Sequence, residues 1–148
     1  MIGAQQDPNN VLEIIKDYGE PFIRIVAMPK DTNSAGNIFG GWIMSQIDLA
    51  GGSAARQVAP ERVVTVSMKE ILFTSPVYVG DQVCYYAKIK DVGKTSIHVQ
   101  VEVIALRLNE LGFRQPHHVA SAHGSYVSVT KDGVKKTISD ELKRLHGF

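Results

Sequence analysis

The sequence predicts an α+β fold in which one long helix is enclosed by a curved antiparallel sheet. The stretch Trp42 to Val58 holds no proline and few charges, and its apolar residues recur at helical spacing. Further on, Ile97, Val99, Val101 and Val103 alternate with His98, Gln100 and Glu102, the period of a half-buried antiparallel strand. Other β-rich runs are separated by clusters of turn formers. One strand therefore precedes the helix and about four long strands follow it, an arrangement of the α+β class.

Taken in order, residues 1–10 are polar and expected to be flexible, and 10–17 form a short helical lead-in. Phe22 to Met28 is β-rich, bounded by Pro21 and Pro29, and reads as the first strand. Residues 29–41 are a loop. In the helix, Trp42, Ile43, Ile47, Ala50, Ala54 and Ala55 form the apolar stripe, and Met44 and Leu49 widen it, so burial on most sides is expected. The run Ala50-Gly-Gly-Ser-Ala-Ala55 contains two glycines, each costing about 1 kcal/mol in a helix. Close approach of a sheet or of a second helix would compensate. Strands are expected over 62–75, 81–90 (Val83, Tyr85, Ala87 and Ile89 on one face), 97–103 and 118–129. Asp91 to Lys94 and Lys131 to Gly133 are turns, 109–116 a loop, and 138–146 a short terminal helix. The chain, 1–148, reads as one domain. Sheet edges left open make pairing between chains expected.

The bulk numbers narrow the function. A chain of 148 residues suffices for a core without staples. A net charge of +1 gives no general nucleic-acid footprint. No run approaches a membrane span, and the N-terminal segment has no apolar signal core. The single cysteine, Cys84, forms no internal disulfide, which suits a reducing compartment. A cytoplasmic protein with neither nucleic-acid nor membrane partners is expected.

Asp48 is the anomaly of the helix. It stands between Ile47 and Leu49, and the nearest basic residue on the helix, Arg56, is too distant for a helical pair. Two readings stand for it alone: a carboxylate that emerges at the helix edge and meets solvent or a basic partner, or a general base or nucleophile in a dry cleft. Asn37-Ile-Phe-Gly-Gly41 leads into the helix. Free amides there, with the helix dipole, stabilise developing negative charge; the plain alternative is a simple loop-to-helix transition. Gly40 and Asp48 are separated by about 12 Å at the rise of an α-helix. One carbonyl cannot touch both on one helix. Two helices packed antiparallel in a dimer would bring the glycine end of one beside the aspartate of the other.

The block Met28-Pro-x-Asp-Thr-Asn-x-x-Gly-x-Ile-Phe-Gly-Gly-Trp-x-Met-Ser-Gln-x-Asp48 resembles the signature of the YciA-like acyl-CoA thioesterases of the hotdog superfamily. Val63-Val-Thr-Val66, Phe73-x-x-Pro-Val-x-Val-Gly-Asp81 and Gly93-Lys-Thr-Ser96 continue the similarity in order, over roughly residues 22–131. The resemblance implies a hotdog fold, with a sheet of five to six strands around the helix. It implies hydrolysis of acyl-CoA to free acid and CoA, by dimers assembled into a trimer of dimers. Asp48 matches the catalytic carboxylate, and Asn33 an asparagine that orients water or substrate. The Gly40 and Gly41 amides match the oxyanion-stabilising helix end. Thr65 lies where a strand hydroxyl approaches the site in relatives, and Gly93, Lys94, Thr95 and Ser96 lie in a turn beside the CoA path. No metal or cofactor is implied, because CoA belongs to substrate and product. Many broader relatives carry histidine where Phe39 stands; phenylalanine there matches the YciA-like branch. The segment Gly112 to His118 has no counterpart; Arg114 in it either contacts CoA phosphates or belongs to an ordinary loop.

Other candidates carry less. His117, His118 and His123 lack a carboxylate or cysteine cluster for a metal, and His118 and His123 should point to opposite strand faces. His98 should face away from the apolar side. Cys84 reads as a structural thiol. No Gly-x-Ser-x-Gly elbow is present, and the glycines at 36, 40 and 41 lack the Lys-Ser/Thr of a phosphate loop. Lys131, Lys135, Lys136, Lys143 and Arg144 give a basic tail that reads as a solvated face, the alternative being weak attraction for CoA phosphates or acidic partners. Two alternatives to a thioesterase remain: a hydratase or dehydratase on acyl thioesters, disfavoured because residues 31–48 contain no histidine, and a non-catalytic acyl-CoA-binding protein.

Overall fold

The computed structural model describes residues 7–148, so the expected flexibility of residues 1–6 lies outside the described residues. Residues 8–10 are not part of a frayed lead. Asp7 accepts a hydrogen bond from the Asn9 amide at 2.9 Å and Pro8 stands at the first helical position, which together start helix α1 (Pro8–Ile14). Then come β1 (Ile23–Val26), a single 3₁₀ turn (Pro29–Asp31), the long helix α2 (Gly40–Ala55), β2 (Val63–Phe73), β3 (Gln82–Val92), β4 (Ser96–Leu108), β5 (Arg114–Ser128) and α3 (Asp140–Leu145). The strands form one antiparallel sheet of five, in the order β1-β3-β4-β5-β2, so β1 and β2 are its edges. The sheet curls over α2, which packs against β2, β3, β4 and β5. This is the hotdog architecture.

The core lies between α2 and the concave face of the sheet. Ile43, Ile47, Ala50, Gly51, Ala54 and Ala55 of α2 are buried against Val83, Tyr85, Val99, Val101, Val103, Ala120 and Ala122. Burial is less complete than the helix composition suggested. Met44 and Leu49 remain 39% and 59% exposed, because the sheet covers only one side of α2.

The strands run longer than turn chemistry alone indicated. A register shift between Ile89 and Asp91 carries β3 through Asp91 to Val92, which leaves only residues 93–95 as the turn. The loop expected over 109–116 shrinks to 109–113. The Asn109 side-chain oxygen accepts from the amides of Leu111 and Phe113, and Gly112 supplies the positive φ of +79°. A bulge at Val119 corrects the histidines: Ile104 pairs with His118 and Gln100 with His123, so both side chains share the outer face. There His118 Nε2 lies 2.8 Å from Glu102 Oε2, and its Nδ1 lies 2.8 Å from the Thr74 hydroxyl. His98, on the same face, is exposed and bonded to Ser125.

The loop between β2 and β3 is fastened by an ion pair. Buried Asp81 accepts from Arg107 Nε at 2.9 Å, from Arg107 Nη2 at 2.7 Å and from the Tyr78 amide at 2.9 Å. The Arg107 guanidinium also lies over the Tyr78 ring, 4.5 Å from its centre. Gly80, at φ +93°, donates to the Ala27 carbonyl. These bonds give the Pro76-to-Asp81 block its physical reason: they hold the Val77 carbonyl where it receives the Ile38 amide, just before α2 begins.

Candidate active site

The lead-in to α2 is ordered by its own polar groups. The Asn33 side-chain oxygen accepts from the amides of Ala35 at 2.9 Å and Asn37 at 3.2 Å, and the Asn33 amide donates to the Asn37 carbonyl. Asn33 thus sits beside the N-terminus of α2, exposed, and does not bond Asp48 of its own chain. Phe39 is the N-cap but offers no capping side chain. Among the described residues the amides of Gly40 and Gly41 have no acceptor. Two donors at the positive end of a sixteen-residue helix are therefore open to an oxyanion.

Asp48 lies two turns further along α2, half-buried. It meets no basic partner among the described residues, so of its first sequence reading, solvent or a cation, only solvent is left. Two hydroxyls hold it instead. Thr65, from β2, donates to Asp48 Oδ1 at 2.8 Å. Tyr126, from β5, lies 3.2 Å from the same oxygen and 3.1 Å from the Asp48 backbone carbonyl. Sheet register explains the convergence, because Thr65 pairs with Tyr126 and Tyr126 with Ile97, one row across three strands. Burial, then the Asp48 charge, push the Tyr126 phenol far above its ordinary value, so it remains a donor.

Tyr126 was not among the residues singled out from sequence. Its signal was the glycines. A Cβ on Gly51 would stand 2.3 Å from the Tyr126 hydroxyl oxygen, and one on Gly124 would stand 2.7 Å from its ring. The small-residue run of α2 therefore admits a side chain of the sheet, rather than a second helix, at Gly51.

The turn Gly93–Ser96 joins β3 to β4 at this end of the sheet, one pair beyond the Ile97–Tyr126 row. The Gly93 amide donates to the Ser96 carbonyl, while the carbonyls of Lys94 and Thr95 receive the amides of Ile138 and Ser128. Arg114 is placed elsewhere. It opens β5 instead of lying in a loop, pairs with Leu108 and reaches Gln82 Oε1 at 3.1 Å. Twelve residues of strand separate it from Tyr126, about 40 Å at the β-strand rise. Within one protomer Arg114 and Asp48 do not share a site. No three potential metal-ligating side chains gather among the described residues.

A family model described as the thioesterase superfamily matches residues 35–110. The acyl-CoA thioester hydrolase YciA of Escherichia coli K12 is 39% identical over 123 residues, 83% of this chain and 93% of that protein. YciA of Salmonella typhimurium is 44% identical over 115 residues, 78% and 86% of the two chains. Among solved structures, a hexameric hotdog fold thioesterase of Campylobacter jejuni superposes with a TM-score of 0.87 at 59% identity, covering 89% of this chain and 99% of that one. An aspartate-to-alanine mutant of a hexameric broad specificity acyl-coenzyme A thioesterase gives 0.79 at 40% identity, over 83% and 88%. The uncapped glycine amides, the carboxylate on α2 and these likenesses agree: the chain belongs to the YciA-like acyl-CoA thioester hydrolases of the hotdog-fold thioesterase superfamily.

Proposed function

We propose that this protein hydrolyses acyl-CoA to the free carboxylic acid and CoA at a site built around Asp48. The observation that carries the reading is the state of that carboxylate: on α2, without a cationic partner among the described residues, and held through one oxygen by two hydroxyls. Such a group takes a proton from water as the water oxygen attacks the thioester carbon, or attacks that carbon itself. The carbonyl oxygen gathers negative charge, which the Gly40 and Gly41 amides stabilise. The C–S bond then breaks, and the thiolate of CoA leaves and is protonated; on the second route water next hydrolyses the mixed anhydride on Asp48, releasing the free acid and restoring the carboxylate. Thiolate is a good leaving group, so the scheme asks for no metal or redox cofactor; CoA arrives with the substrate.

The site is completed by a second copy. Asp48 and the glycine amides of one helix are too far apart for one carbonyl, and the Met44–Leu49 side of α2 is uncovered in a single chain. We place the glycine end and Asn33 of one protomer beside Asp48 of its partner, in a dimer that assembles further into a trimer of dimers. The hexameric state of the similar thioesterases supports this. The Gly93–Ser96 turn, at the same end of the sheet as Asp48, is our choice for the CoA path. Among the described residues no helix is long and apolar enough to cross a membrane, and we assign the protein to the cytoplasm on its unpaired Cys84.

The test is release of free thiol from a panel of acyl-CoAs, short to long, by wild type, Asp48→Ala and Asp48→Asn. General-base loss costs about a hundredfold or more in kcat. Turnover by wild type that collapses in both variants is expected. Near-normal turnover by Asp48→Asn removes Asp48 from the mechanism, and no release from any acyl-CoA by folded wild type refutes hydrolysis.

A further inference from the structure

From the geometry around the Tyr126 ring we infer that Tyr126 is a positioning residue for the hydrolysis: with Thr65 it pins Asp48 Oδ1, so that Oδ2 is the oxygen presented to water or thioester. This rests on the role given to Asp48 above.

The ring is almost wholly buried, at 1% exposure, and its hydroxyl reaches from β5 across to α2. It has a single proton, shared between the Asp48 carbonyl at 3.1 Å and Oδ1 at 3.2 Å. Thr65 approaches Oδ1 from β2 at 2.8 Å. Donors from two different strands meet one carboxylate oxygen, which fixes the rotation of the carboxylate plane. Oδ2 has no hydrogen-bond partner among the described residues, yet it is not a buried orphan. It is the oxygen left free for chemistry.

The sequence is arranged to let the phenol in. Gly51 is a helix-interior glycine, less favourable than alanine in propensity, and a methyl group there would meet the phenol oxygen at 2.3 Å. On the opposite side a Cβ at Gly124 would overlap the ring at 2.7 Å, while Gly52 leaves an ordinary 3.6 Å contact. Two positions from separate elements thus forgo side chains around one hydroxyl. Apolar packing alone does not require this, since a smaller residue at 126 would fill the space with alanines opposite. The oxygen is what the slot accommodates, and Asp48 is what the oxygen reaches.

The experiment compares wild type, Asp48→Ala, Tyr126→Phe, Gly51→Ala and the double variant Tyr126→Phe/Gly51→Ala in steady-state thiol release, with melting temperature and particle mass alongside. Tyr126→Phe removes one oxygen and keeps the ring. The expected result is a kcat lower by about tenfold, or ~1.4 kcal/mol, with KM within about twofold, because the substrate itself is not touched. Gly51→Ala, which displaces the hydroxyl, should lower kcat to a similar degree. In the double variant the losses should not multiply, since both act through one hydrogen bond. A structural rivet between helix and sheet would instead lower the melting temperature and leave kcat alone. Wild-type turnover in Tyr126→Phe, with Asp48→Ala dead, overturns the inference and leaves the hydrolytic reading standing. Losses that multiply in the double variant also overturn it. Full turnover by Asp48→Ala, or none by folded wild type, overturns the hydrolytic reading and the inference with it.

Discussion

Replacing Asp81 by alanine should destabilise the protein by several kcal/mol without touching the site directly. The carboxylate is buried, its side chain 3% exposed, and it receives three hydrogen bonds, two of them from the Arg107 guanidinium. A hydrogen bond to a charged group contributes about 1.5–3 kcal/mol, and breaking a buried ion pair from one side costs about 3–5 kcal/mol. Arg107 is 30% exposed, so water recovers part of its solvation once the partner is gone. The Tyr78 amide loses its acceptor as well. The balance is about 2–4 kcal/mol. At roughly 2–4 °C per kcal/mol for a domain of this size, melting should fall by about 4–16 °C. The assay is thermal unfolding at one fixed protomer concentration, because self-association raises the apparent midpoint. Urea unfolding should show the same loss with an unchanged slope. The Val77 carbonyl that meets the Ile38 amide lies in the fastened loop, so some loss of kcat is also expected, far less than for Asp48→Ala. A midpoint within about 2 °C of wild type would refute the claim that this pair holds the loop.

Thr65→Val should lower kcat by about three- to tenfold, since the Thr65 hydroxyl is exposed and water can replace it in part; unchanged thiol release would remove Thr65 from the site. Tyr85 is fully buried and its hydroxyl has no partner among the described residues, so Tyr85→Phe should stabilise the fold by about 1 kcal/mol in urea unfolding, and a clear loss would show that the hydroxyl is satisfied. Burial, then the charge of Arg107, lower the His117 imidazole below its ordinary 6.5, and Asp81 opposes this only in part. A lowered histidine stabilises the fold above the unfolded-state value and loses that contribution as pH falls through the folded value. His117→Gln should therefore soften the drop in melting temperature on acidification below pH ~6.5; an identical drop in both proteins would count against it.

The fold was legible because its two periods are clean. Apolar spacing along 42–58 marked the helix, and the alternation of 97–103 marked a strand that faces it. Element ends were less so, since β3 and β5 run past turn-like residues by means of bulges, and a bulge has no residue signature of its own. The bulge at Val119 also turned His118 onto the face of His123, against simple strand parity. Asp48 stood out as a charge in an apolar helix, and Thr65 through resemblance. Tyr126 could not be read in the same way. Its link to Asp48 spans 78 positions and depends on register between three strands. Arg114 illustrates the converse: a plausible phosphate ligand by charge, it is held at the far end of the sheet by the length of β5.

If the glycine amides and Asp48 serve one carbonyl, as proposed, the spacing along α2 sets where a second copy lies. An oxyanion donor has to be about 3 Å from the carbonyl oxygen, and the attacking group about 3–3.5 Å from the carbon. Gly40 and Asp48 of one helix miss this by a wide margin, at about 12 Å apart. If an antiparallel neighbour matches residue 40 with 48, the two-fold axis passes residue 44. Met44 is 39% exposed in the single chain, as a residue on such an axis would be. Helices in contact lie about 8–10 Å apart, so thiols introduced at the axis are within reach of a short bifunctional maleimide. Met44→Cys should be linked to its own copy rapidly and at sub-micromolar protein. Cys84 stays out of the reaction because it is buried, with burial raising its thiol pKa so that less thiolate is available to react. Leu49→Cys, five residues along the helix and 59% exposed, lies off the axis and should link far more slowly. Equal rates at 44 and 49, or linkage at 49 alone, would place the axis elsewhere and with it refute the pairing of one chain's glycine amides with its neighbour's Asp48.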